Sequence, residues 1–146
     1  MAIKFTINIP PEPQGRPRFR SVGSFVQTYD PPKSKAYKKK VAQVAKMYAP
    51  GTPIDTPIGI KLVFYVSMPK SKSKAWKQRA LTGQEVPSVR PDIDNYTKAI
   101  LDALNGLIFS DDGRIVEMQV FKRYTDHPRT EVTIEEKFSE IQTKLF

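Results

Sequence analysis

Apolar Ile3, Phe5, Ile7 and Ile9 alternate with Lys4, Thr6 and Asn8, and this period of two predicts a half-buried strand over residues 2–9. Pro10-Pro11-Glu12-Pro13-Gln14-Gly15 ends it, because proline cannot donate to a sheet ladder. Arg16-Pro17-Arg18-Phe19-Arg20 then reads as an extended loop, and Phe25–Tyr29 as a short strand closed by Asp30-Pro31-Pro32. Tyr37, Val41, Val44, Ala45 and Tyr48 recur at helical spacing and predict a helix over 34–48. After a Pro/Gly connection (49–56), Ile58, Ile60, Leu62, Phe64 and Val66 mark a strong strand over 57–68. Residues 69–74 are expected to cap a short helix over 75–81, in which Trp76 packs. Residues 82–91 form a loop. Tyr96, Ala99, Ile100, Ala103, Leu104 and Leu107 make the next helical stripe, with Asn95, Lys98, Asp102 and Asn105 on the opposite face. Strands over 114–124 and 131–135, separated by a turn at 126–129, and an amphipathic helix over 137–146 complete the chain. The order β–β–α–β–α–α–β–β predicts an α+β fold, one domain over 1–146, in which a mixed sheet carries the helices.

With 146 residues and 39% hydrophobic content, the chain suits one compact core. It has no cysteine, which removes disulfides, thiolate zinc sites and cysteine nucleophiles together. A single histidine, His127, argues against zinc and against a Ser–His–Asp mechanism. The alternating N-terminus lacks a signal peptide's apolar block and no run matches a membrane span, so an intracellular protein is expected.

Charge changes the picture through its distribution. The net charge is +9, made up of +8 over residues 1–50, +5 over 51–90 and −4 over 91–146. The first two-thirds therefore favours a polyanionic partner, and nucleic acid over a membrane because no long basic amphipathic helix is present. Arg16, Arg18 and Arg20 beside Phe19 suit phosphate oxygens; Lys35, Lys38 and Lys39 share a helix face that is either solvated or laid along DNA; Arg90 precedes the acidic stretch.

Residues 90–112 invert this trend. Asp92, after Pro91, suits an N-cap, and Asp94 lies in the first turn where the helix dipole favours an anion. Carboxylates at i and i+2 diverge inside a regular helix, but can converge when the first occupies the extended residue before it. Lys98 is at i+4 from Asp94, and Asp111-Asp112-Gly113 follows the helix. Each feature alone is compatible with a cap, an ion pair or a turn. Together they bring acidic groups from two chain positions toward one another, as a hard Mg²⁺ ion requires.

The motif Pro91-Asp92-Ile93-Asp94-Asn95-Tyr96-Thr97-Lys98, the run Leu101-Asp102-Ala103-Leu104-Asn105-Gly106, and Asp111-Asp112 before Ile115-Val116 resemble the RusA-type Holliday-junction resolvases, a family often encoded by prophages. The resemblance extends upstream to Pro13-Gln14-Gly15-Arg16-Pro17-Arg18 and Tyr29-Asp30-Pro31, and downstream to the Lys122 region. It implies a homodimeric, Mg²⁺-dependent endodeoxyribonuclease that makes paired nicks in four-way DNA junctions, in a cytoplasm of bacterial or phage origin. By position, Asp92, Asp94 and Asp112 would bind metal, Asp111 would be a further ligand and Lys98 the essential lysine; the apolar N-terminal strand or the 58–66 strand could supply the dimer interface. The chain is longer than the shortest members around 49–56 and at its C-terminus. A broader nuclease acting on flaps or forks, and a non-catalytic DNA-binding module, are the alternatives.

Overall fold

A computed structural model of the chain describes residues 2–137, so the helix expected over 137–146 lies almost wholly outside the described residues. Its main sheet has four strands in the order β1 (Ala2–Ile7), β6 (Arg129–Glu136), β4 (Ile58–Ser67) and β5 (Ile115–Thr125). β4 runs parallel to β5 and antiparallel to β6, and β1 is antiparallel to β6, which makes the sheet mixed as expected. The helices are α1 (Pro32–Lys46), α2 (Lys74–Leu81) and α3 (Ile93–Leu104).

Period-two alternation places the core on one face of the sheet. Ile3, Phe5 and Ile7 of β1, Val132 and Ile134 of β6, and Ile58, Ile60, Leu62 and Phe64 of β4 are all buried. The registers pair Phe5 with Val132 and Leu62 with Val132, so these side chains share that face. α1 covers it with Tyr37, Val41 and Ala45, and α3 with Tyr96, Ala99, Ile100 and Leu104. Tyr96 stacks on Phe64 at 5.2 Å between ring centroids. Trp76 of α2 packs edge-on against Tyr124 of β5, as expected for a packing residue.

Two expectations are corrected. Residues 18–22 form a strand, β2 (Arg18–Val22), which among the described residues pairs only with β3 (Phe25–Tyr29), in a separate hairpin. Both strands are exposed along their whole length, so no buried face imprinted a period on their sequence. The 58–66 strand cannot offer its edge to a second copy, because β4 is bonded to β6 on one side and β5 on the other and its apolar side chains are in the core. Among the described residues, β1 is an edge strand.

Phe64 is fully buried and is the platform for α3. Phe64→Ala is expected to cost about 3–5 kcal/mol, from lost burial plus the cavity left behind. Urea unfolding monitored by circular dichroism measures this as a lowered midpoint with an unchanged slope.

Candidate active site

The apolar stripe of α3 is held on the sheet, and this turns its polar face toward β5 and the turn that precedes it. Asp92 is the N-cap residue, in extended conformation (φ −70°, ψ 148°) just outside the helix, where the sequence placed it. Its backbone carbonyl accepts from the amides of Asn95 and Tyr96, but its side chain caps nothing. Asp94, in the first turn, accepts at Oδ1 from the amide of Asn95 (3.0 Å). The helix ends at Leu104, before Leu107. Gly106 takes φ +80°, and its amide bonds to the Phe109 carbonyl (2.8 Å), folding 105–109 into a turn that leads to the second acidic pair.

Asp111 and Asp112 have different situations. Asp111 caps the 3₁₀ turn Asp112–Arg114 by accepting from the Gly113 amide (2.9 Å). Asp112 is left to face α3. The turn is pinned from outside by Asp55, which accepts from Ser110 Oγ (2.6 Å) and pairs with Arg114 (3.2 Å).

Asp94, Lys98, Asp102 and Asp112 line one open cleft of about 450 Å³, floored by Leu101, Met118 and Val120. Asp92 and Asp111 do not line it. Among the described residues, no three acidic or histidine side chains form a ready-made cation cage. Mg²⁺ keeps several waters and uses only one or two carboxylates plus substrate phosphate, and Asp94, Asp102 and Asp112 are the carboxylates this cleft offers such an ion.

The fold disfavours the ionised form of Asp112. Partial desolvation, then the negative charges of Asp102 and Asp111, hold its pKa above the usual carboxylate value, and Lys98 offsets this only in part. Among the described residues, none of Asp92, Asp94 and Asp112 has a lysine or arginine within ion-pair distance. Lys98 instead pairs with Asp102 (3.5 Å), leaving its ammonium exposed at the cleft.

Asp102, Lys122 and Asp55 also shape the site. Asp102 was legible, four residues beyond Lys98 on the same helix face. Lys122 and Asp55 were not, since both act across the fold. Lys122 Nζ donates to the carbonyls of Val89 (2.7 Å) and Pro91 (2.8 Å), which fixes the chain immediately before Asp92.

The basic residues divide between outward and inward roles. Arg16, Arg18, Arg20, Lys35, Lys39 and Arg90 are exposed. Lys38 is turned inward: it pairs with Asp30 (2.5 Å) and reaches Asp102 (3.6 Å), with its side chain only 17% exposed. The hydrogen bond from Lys38, above all, holds the Asp30 carboxyl below its ordinary pKa.

Asp112→Asn is expected to raise the melting temperature of the metal-free protein at neutral pH, because it removes a carboxylate whose ionised form the fold disfavours. The sign follows from the raised pKa: the cost is absent below the unfolded-state value of about 3.9 and grows as pH rises through the folded-state value. Melting curves of wild type and variant should therefore converge in acid and separate toward neutrality. Lys122→Met is expected to speed amide hydrogen exchange over residues 89–95 selectively, because it frees two loop carbonyls while leaving the sheet ladder intact.

The family model described as Endodeoxyribonuclease RusA matches residues 8–135. The uncharacterized protein YqaN of Bacillus subtilis (strain 168) is 44% identical over 136 residues, covering 92% of this chain and 96% of that protein. With a match that takes in β2 through most of β6 and every residue of the acidic cleft, the chain belongs to the RusA endodeoxyribonuclease family.

Proposed function

We propose that the protein is a Mg²⁺-dependent endonuclease that resolves four-way DNA junctions by paired nicks. The observation that carries this reading is the convergence of Asp94, Lys98 and Asp112 on one cleft, beside an otherwise basic surface. Asp94 and Asp112 would hold the cation, with Asp92 joining from the extended residue before the helix. When bound, Mg²⁺ supplies a water of lowered pKa and neutralises charge on the scissile phosphate. Lys98 presents an ammonium to the phosphate oxygens, where negative charge grows in the transition state. Asp102 orients that lysine through the 3.5 Å pair along the helix. Arg16, Arg18, Arg20, Lys35, Lys39 and Arg90 supply exposed charge for the backbone of the DNA arms. Lys38 contributes indirectly, by bracing Asp102 from α1. A homodimer would present two such clefts to the two strands of a two-fold junction.

A Mg²⁺-dependent nicking assay with a mobile four-way junction, a fork and a linear duplex tests the reading. The junction is expected to be cut fastest, in symmetric pairs; equal rates on all three would defeat junction selectivity. Asp94→Asn should abolish nicking while junction binding in gel-shift persists. Nicking by that variant at the wild-type rate would remove the cleft from the mechanism.

A further inference from the structure

The β2–β3 hairpin stands outside the core. All ten of its strand residues are exposed, and among the described residues its strands pair with nothing else. Yet it is rich in apolar side chains: Phe19 is 69% exposed, Val26 64%, Phe25 63% and Val22 38%. Single exposed apolar residues are ordinary, but four on so short a ribbon mark a binding surface.

The register distributes them on both sides. Arg18, Arg20 and Val22 lie opposite Tyr29, Gln27 and Phe25 on one face, while Phe19 and Ser21 lie opposite Thr28 and Val26 on the other. A ribbon that is apolar on both faces suits insertion between two partners better than lying on one. Its tip is the two-residue loop Gly23-Ser24, with Gly23 at φ +62°, as a tight II′ hairpin requires at its first central position. Val22 and Phe25 flank that loop. The cationic part is nearer the root. Residues 16–29 contain Arg16, Arg18 and Arg20 and no acidic residue. Arg20 is pre-set: its Nε donates to Gln27 Oε1 (2.9 Å), and its guanidinium lies 5.2 Å from the Tyr29 ring centroid.

The root is tied to the rim of the acidic cleft. The Gln14 amide donates to the Asn95 carbonyl (3.0 Å), next to Asp94, and the Gly15 amide to Ser34 Oγ (2.9 Å). On the other root, Asp30 pairs with Lys38, which reaches Asp102, the partner of Lys98. The root of the arm is therefore bonded into the same network as Asp102 and Lys98 of the cleft.

Charge selects the occupant. A second copy docking through this same ribbon would bring like charge to like charge, with no acidic residue on the ribbon to answer the three arginines. DNA at a branch point offers both required partners: phosphates for the root, and the flat faces of bases freed from stacking for the tip. Building on the nuclease reading above, we propose that the β2–β3 hairpin is a wedge that enters the centre of a DNA junction. Phe25 and Val22 stack on a base at the branch point, Phe19 and Val26 face the opposing arm, and Arg18 and Arg20 clamp the flanking phosphates.

The test uses the full-length protein in EDTA, where the junction stays uncut, with 2-aminopurine placed either at the branch point or well inside an arm. Saturating wild type is expected to change the fluorescence of the branch-point probe and leave the arm probe unchanged. The double variant Val22→Ala, Phe25→Ala should abolish that change and weaken junction binding on the order of tenfold, the loss typical of one stacked base. Its affinity for linear duplex and its melting temperature should stay at wild-type values, because neither residue packs in the core. Phe25→Trp, which keeps an aromatic face, should retain the fluorescence change. Wild type that binds and nicks junctions but leaves the branch-point probe silent overturns the wedge and leaves the nuclease reading intact. A double variant that keeps the fluorescence change but falls from dimer to monomer in sedimentation also overturns it, and assigns the hairpin to self-association. Wild type that binds no junction overturns both.

Discussion

The Phe64–Tyr96 stack, with Ile100 and Leu104 buried beside it, decides the orientation of α3, and most of the candidate site follows from that orientation. A helix with one strongly apolar stripe has a single low-energy rotation about its axis, because any other exposes the stripe or buries charge. That rotation aims Asp94, Lys98 and Asp102 together at β5 and the 3₁₀ turn. The cleft is thus the polar complement of a packing interface, and its precision derives from the most tightly packed part of the molecule.

Around that helix, three polar anchors hold the less regular pieces. Lys122 reaches from β5 to the carbonyls of Val89 and Pro91, Asp55 ties down the turn that carries Asp112, and Lys38 joins α1 to Asp102 and to the hairpin root. Each uses charge to satisfy groups that the secondary structure leaves open, a local solution where no sheet ladder or helix is available. Among the described residues, Asp92, Asp94 and Asp112 have no lysine or arginine within ion-pair distance. Asp112 in particular is partly desolvated and crowded by Asp102 and Asp111, an arrangement that disfavours its ionised form in the free protein.

The same separation of roles extends to the basic residues. Charge on the exposed face of α1 and on the hairpin is free to meet an anionic backbone, whereas Lys38, one turn from equally basic neighbours, serves the interior network. Counting lysines on a helix face cannot distinguish these roles. Only the position of Asp30 and Asp102 in space does.

The order of most elements, the core face of β1 and β4, the stripe of α3 and the place of Asp92 outside the helix were legible in the sequence. Each depends on a short-range period or cap that the physics of burial imposes on neighbouring residues. Legible too was the acidic motif from Asp92 to Lys98, since helical geometry alone relates i and i+4. What the tertiary structure decided were the relations between distant segments. It placed β4 at the interior of the sheet, paired Arg18–Val22 with Phe25–Tyr29 away from any core, and set Asp112 against α3 while Asp111 caps its own turn. It also chose Lys122 and Asp55 as anchors. Such contacts join residues tens of positions apart, where one chain's periodicity carries no information. They are selected only when the whole core packs at once.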